Sequence, residues 1–251
     1  ASIGAPVLEV SNLSHPTEFR DISFQLNTGE ILGFYGLVGA GRSEVMQALF
    51  GITTPSAGTV TLQGAVVNFQ SPADAINNGI VYVPEERGKQ GVVTDLPIFQ
   101  NVSLPSLGKT SRNGFLQLAE EFALVRDYAT RLDLRAASLS QHAGTLSGGN
   151  QQKVVVAKWL ATQPKVIILD EPTKGIDIGS KAAVHEFMSD LASQGLSVIM
   201  VSSELPEILG MSDRVVVMRE GLMVDTYANN DTLTSENLVM AAAGIDDGAA
   251  A

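Results

Sequence analysis

Cysteine is absent from this 251-residue chain, which removes disulfides, thiolate metal sites and a cysteine nucleophile together. That usage is compatible with the cytosol. Positive charge is scarce: 16 Lys and Arg stand against 27 Asp and Glu, a formal net charge of −11. Nucleic-acid binding needs clustered Lys and Arg, and no such cluster occurs. An acidic domain also gains nothing from an anionic membrane surface. No apolar run is long enough to span a bilayer, and the first residues lack a signal-peptide pattern. Ala1 rather than Met begins the sequence, which suggests a fragment or a processed product. What is present is apolar: 45% of residues are hydrophobic, enough for one large domain or one carrying an inserted subdomain.

Residues 1–6 are expected to be a linker, and residues 244–251 a disordered Gly-, Ala- and Asp-rich tail. Between them, periodicity predicts strands at 7–13, 22–26 and 31–35, then a glycine loop and a helix over 43–50. Strands at 59–62 and 65–69 suggest a small β layer, followed by a helix over 72–78 and a buried strand over 80–83. From Glu85 to His142 the pattern turns helical, notably over 115–134, with no strand run, and reads as an insertion. A helix over 148–161, a strand over 166–169, a helix over 182–193 and a strand over 197–201 follow. A short helix over 205–209 and strands at 214–218 and 223–226 close the pattern. Near-continuous apolar strands alternating with helices predict an α/β fold with a parallel sheet covered on both faces.

Three segments carry chemistry. The loop GLVGAGRS, Gly36 to Ser43, lies between a strand and a helix, the context of a phosphate-binding loop. There Gly36, Gly39, Ala40 and Gly41 would let backbone N–H groups approach a phosphate, and the Ser43 hydroxyl could hold Mg²⁺. Arg42 stands where such loops place lysine. It keeps the charge but presents a broad planar fork, and a ligand-free turn remains an open alternative for this loop alone. The second segment, VIILDEP from Val166, ends a buried strand with two carboxylates. Asp170 would join the magnesium shell, and Glu171 would orient or deprotonate an attacking water. The third, LSGGNQQ from Leu146, offers Ser147 as a helix cap and bare N–H groups at Gly148 and Gly149.

Together with VPEER (Val83 to Arg87), DEPTKGID (Asp170 to Asp177) and VSSEL (Val201 to Leu205), these segments resemble the ABC-type ATPases. The wording is most similar to the C-terminal ATPase half of bacterial importers for ribose, galactose, xylose and related sugars. The resemblance covers residues 7–243. It implies a P-loop NTPase (RecA-like) core, an antiparallel β subdomain, and a helical subdomain over about residues 88–162. It also implies ATP and Mg²⁺ as cofactors and a head-to-tail partnership with an N-terminal ATPase half, in the same or a companion chain. Ser147, Gly148 and Gly149 would then touch the γ-phosphate of ATP held by that half, and Asp177 would lie in a loop crossing their interface. Further implied partners are membrane permease subunits, docked around residues 85–115, and indirectly a sugar-binding protein. The implied location is peripheral, on the cytoplasmic face of the bacterial plasma membrane.

Three positions depart from the family at this half's own site. Arg42 replaces the loop lysine, Glu85 stands where a glutamine is expected, and Ser203 stands at the switch-histidine position. Losing one positioned group typically costs about 10²–10⁴ in rate, so weak turnover at this site is expected. A nucleotide-binding, non-hydrolysing regulatory half-domain is the alternative. A soluble member acting in translation or DNA repair fits less well, because the chain is compact and acidic. Phe19, Trp159 and the pair Phe115 and Phe122 are expected in the core.

Overall fold

A computed structural model of the chain describes residues 3–245. The expectations for residues 1–2 and 246–251 lie outside the described residues. Two compact units are present among the described residues: those up to Tyr82, Lys165–Glu171 and those from Met188 onward form the first, and Val83–Pro164 with Pro172–Phe187 form the second.

The first unit opens with β1 (Pro6–Ser14), β2 (Ile22–Asn27) and β3 (Ile31–Tyr35), then α1 (Arg42–Leu49), β4 (Ala57–Leu62) and β5 (Ala65–Val67). The lead-in is shorter than expected, because the Gly4 N–H already donates to the Thr28 carbonyl at 2.9 Å. After these come α2 (Pro72–Asn78) and β6 (Ile80–Val83). Ser71 caps α2 through its side chain, with Pro72 in the first turn and Gly79 closing the helix at φ 94°. A four-stranded sheet runs in the order β2-β1-β4-β5, its adjacent strands antiparallel.

The second unit holds α3 (Ile98–Ser103), β7 (Ser111–Arg112), β8 (Phe115–Leu116), α4 (Leu118–Arg131) and α5 (Gly148–Leu160). Its helices are tied together by named contacts. Phe99 and Phe122 stack at 4.4 Å between ring centroids, and the Tyr128 hydroxyl donates to the Leu160 carbonyl at 2.9 Å. Lys109 Nζ donates to the carbonyls of Ala161 and Thr162 at the end of α5, where a cation complements the helix dipole. The expected helix over 115–134 is corrected here. Asn113 and Gly114 both take positive φ, 52° and 81°, making the two-residue turn that asparagine–glycine pairs favour. The chain therefore forms a β7–β8 hairpin first, and the helix begins only at Leu118. Phe115 is 76% exposed on that hairpin and is not core, whereas Phe122 is half-buried and stacks on Phe99.

The remaining elements are β9 (Val166–Asp170), α6 (Ile178–Ser193), β10 (Ser197–Val201), α7 (Leu205–Met211), β11 (Arg214–Arg219), β12 (Leu222–Ala228) and α8 (Ser235–Ala243). Helix α6 starts four residues before the expected Ala182, because Asp177 accepts from the Ser180 N–H at 3.0 Å and caps it. Helix α8, not read from the sequence, is set by a Thr234–Asn237 capping box.

A six-stranded sheet runs β12-β11-β3-β10-β9-β6. Every residue of β3, β9 and β10 is buried, so both faces of this sheet are covered. Strand β12 departs from the expected parallel pattern and pairs antiparallel with β11, forming a mixed edge.

Candidate functional site

Sheet register assembles the site in the first unit. Strand β10 separates β3 from β9, and Val201 pairs with Phe34 on one side and with Asp170 on the other. The glycine loop leaving β3 and the carboxylates ending β9 therefore start from one level of the sheet, two strand spacings apart, about 10 Å. In open α/β sheets the carboxyl ends of the strands are where ligands bind.

Loop residues 36–41 follow β3 directly. Gly39 and Gly41 take φ 81° and 91°, a left-handed region costly for a residue with a Cβ. The open side of Gly39 meets nothing within 4 Å, while a Cβ on Gly41 would lie 3.1 Å from Gly221 Cα. Gly36 has no room either, because a Cβ there would strike the Met218 carbonyl. Helix α1 begins at Arg42 with Gly41 at its cap and no side-chain cap bond. The positive end of the helix thus faces the loop.

At the end of β9 both oxygens of Asp170 are engaged. Ser43 Oγ donates to Oδ1 at 3.1 Å, and the Tyr82 hydroxyl donates to Oδ2 at 2.7 Å. Ser43 and Asp170 supply two hard oxygen donors, as Mg²⁺ prefers, and that ion completes its shell with water and substrate phosphate. Among the described residues no group of three or more His, Cys, Asp or Glu forms a protein-only metal site. The donor set fits a magnesium ion shared with a phosphate.

Glu171 is backbone-strained, with φ 48°, and its N–H donates to the Val201 carbonyl at 2.8 Å. Arg42 turns toward it: Nη2 lies 3.7 Å from Glu171 Oε1, while Nη1 donates to the Ser202 carbonyl at 2.8 Å. Both side chains are 8% exposed. Ser203 Oγ donates to Glu171 Oε2 at 3.2 Å. Two of the three departures read from the sequence thus converge on the carboxylate expected to handle water. Burial raises the Tyr35 phenol pKa, and the Arg42 charge opposes that shift. Phe19 is buried at 3% exposure, as expected of a core residue.

In the second unit Glu85 Oε1 lies 2.5 Å from Lys174 Nζ, an exposed pair of the kind worth at most about 1 kcal/mol. Ser147 occupies the cap position of α5, but its side chain makes no cap bond, a correction to the expected role. The hydroxyl instead accepts from Asn150 Nδ2 at 3.0 Å. Gly149 is buried, and a Cβ there would come 2.6 Å from Ser180 Oγ. That hydroxyl donates to Asp177 Oδ2 at 2.7 Å, so the starts of α5 and α6 are packed on each other. These hydrogen bonds from Ser180 hold the Asp177 carboxyl below its usual pKa. Ser147, Gly149, Asn150, Lys153, Arg135 and Asp177 line one open cavity of about 410 Å³.

Sequence reasoning missed Tyr82, Lys174 and Ser180. Tyr82 had a weak signal, a phenol within an otherwise aliphatic buried strand. Lys174 and Ser180 had none, since their partners are set by folding.

The family model described as ABC transporter matches residues 19–174. A ribose import ATP-binding protein of Rhizobium meliloti (strain 1021) is 72% identical, the alignment covering 100% of this chain and 50% of the relative. One of Roseobacter denitrificans is 71% identical over 98% of this chain and 48% of its own length. The chain spans about half the length of the curated relatives it matches. Among solved structures, a dimeric ATP-binding cassette in a post-hydrolysis state bound to ADP and Pi superposes with a TM-score of 0.78. It is 19% identical, covering 89% of this chain and 99% of that one, a likeness in fold. The architecture is that of the P-loop NTPases in their cassette form, and the family model spans more than half of the sequence: the chain belongs to the ABC transporter family as an ATPase domain.

Proposed function

We propose that this domain is the C-terminal ATPase half of a bacterial sugar importer, with ribose or a related sugar as the transported class. It binds ATP and Mg²⁺ at its own loop, with Ser43 and Asp170 holding the ion, and lends Ser147, Gly148 and Gly149 to ATP bound by the companion half. The ion would neutralise charge on the transferred phosphate. Permease subunits on the cytoplasmic face of the plasma membrane are its docking partners, and a sugar-binding protein acts at one remove. No helix among the described residues is long and apolar enough to cross a membrane, which agrees with docking rather than insertion.

The same reading makes hydrolysis weak at the domain's own site. The observation that carries it is Arg42, which spans the Ser202 carbonyl and the Glu171 carboxylate. A general base or water-orienting group must reach the water it serves, and Glu171 is here paired with a cation and a hydroxyl. Ser203 is too short to do what a histidine does toward a γ-phosphate. For this local site the non-hydrolysing alternative is therefore favoured, while the two-half assembly remains an ATPase.

The test measures nucleotide binding and phosphate release by this chain alone and with its companion half. Binding without appreciable release alone, and release on adding the companion, is the expected outcome. Substantial turnover by the chain alone would sink the weak-site reading.

A further inference from the structure

Asn150 lies in the first turn of α5, three residues after Ser147. Its carboxamide bridges two groups: Oδ1 accepts from the Arg135 N–H at 2.9 Å, and Nδ2 donates to Ser147 Oγ at 3.0 Å. A backbone N–H can only donate, so the atom facing Arg135 must be the amide oxygen. The amide nitrogen is thereby turned to Ser147 without ambiguity. A serine hydroxyl has one proton and two lone pairs. With one lone pair accepting from Asn150, its proton points elsewhere, and no cap bond at the start of α5 engages the side chain. Ser147 is exposed and lines the cavity shared with Arg135 and Lys153.

The far anchor is itself held. Asp133 takes φ 47°, and Lys153 Nζ, one turn along α5 from Asn150, donates to the Asp133 carbonyl at 2.7 Å. The turn carrying Arg135 is thus tied to α5 at two points. The Asn150 amide is thus held at both ends, and inverting it would set its NH2 against the Arg135 N–H.

We propose that Asn150 is a positioning residue for the Ser147 hydroxyl, holding its oxygen as an acceptor so that its proton is presented to the phosphate of a nucleotide bound by the companion half. This rests on the reading that Ser147 completes that half's site. A pre-oriented donor needs no reorganisation when negative charge develops, which is where such donors contribute most.

A double-mutant cycle on the two-half assembly tests it, using Ser147→Ala, Asn150→Ala and the pair, with kcat and KM for ATP and a thermal melt of each. Ser147→Ala is expected to lower kcat roughly 10²-fold, the lower end of the effect of losing one transition-state donor. Asn150→Ala is expected to lower kcat about tenfold with KM little changed. Adding Asn150→Ala to Ser147→Ala is then expected to cost nothing further, because the group it positions is gone. Multiplying effects, or an Asn150→Ala variant with unchanged kcat, would overturn the positioning role while leaving the shared-site reading intact. Unchanged turnover in Ser147→Ala would overturn both. A purely structural role for Asn150 predicts a lower melting temperature and a further loss in the double variant, which also counts against the proposal.

Discussion

At position 42 a guanidinium replaces a slim ammonium, and its two prongs serve a carbonyl and a carboxylate together. Removing it strands the buried Glu171 carboxylate with less compensation. Arg42→Ala is expected to lower folding stability by about 3–5 kcal/mol, the usual loss when one partner of a buried pair is deleted, as read by urea unfolding. Asp177 acts through protonation. Its folded pKa lies below the ordinary value of 3.8 because Ser180 donates to it through side chain and backbone. A carboxyl with a depressed folded pKa contributes stability that is present above its unfolded pKa and lost as pH falls through the folded one. The stability difference between this chain and Asp177→Asn should be constant near neutrality and shrink below pH 3.8. Thermal melts across the acid range check it.

Single elements show where local signals succeed and where they compete. Loop 36–41 and α1 were legible because glycine spacing between an apolar strand and a helix has few other solutions. Gly41→Ala places a Cβ at φ 91° beside Gly221. It should cost about 1–3 kcal/mol for the strained backbone and weaken nucleotide binding, measured by unfolding and by titration with ATP. The segment 115–134 misled because Phe115 and Leu116 run straight into the apolar period of the helix, whereas the turn at Asn113–Gly114 makes them a hairpin strand. The hairpin makes a paired prediction. Phe115→Ser, at an exposed position, should change stability by no more than about 0.5 kcal/mol. Phe122→Ala removes the stack on Phe99 and should cost about 2–3 kcal/mol, below the ~3–5 kcal/mol of a fully buried Phe because its rim is accessible. Equal effects in denaturant melts would contradict the assignment of Phe115 to the surface.

On the scale of the molecule, the first unit joins its two sheets through one buried carboxylate. Glu30 is fully buried and accepts from Arg214 Nε at 2.5 Å, from Arg214 Nη2 at 3.1 Å and from the Asn27 N–H at 2.7 Å. Arg214 also donates to the Gln25 carbonyl at 2.6 Å. Phe24 and Phe34 meet edge to face at 5.0 Å across the same junction. Arg214→Met takes two donors and a countercharge from buried Glu30, and should cost about 3–5 kcal/mol in equilibrium unfolding. By itself the sequence determined the class of fold, the glycine loop after β3, the paired carboxylates ending β9 and the glycine-led start of α5. Each of these is written in residues adjacent along the chain, where glycine conformation and apolar periodicity act locally. Only the tertiary structure decided that Arg42 would turn to Glu171, that Tyr82 would hold Asp170, and that Asn150 would stand between Arg135 and Ser147. Strand order and register bring the first two pairs together from 129 and 88 positions apart, and packing of the 133–135 turn on α5 makes the third. Side-chain partners chosen over such separations leave no period in the sequence to read.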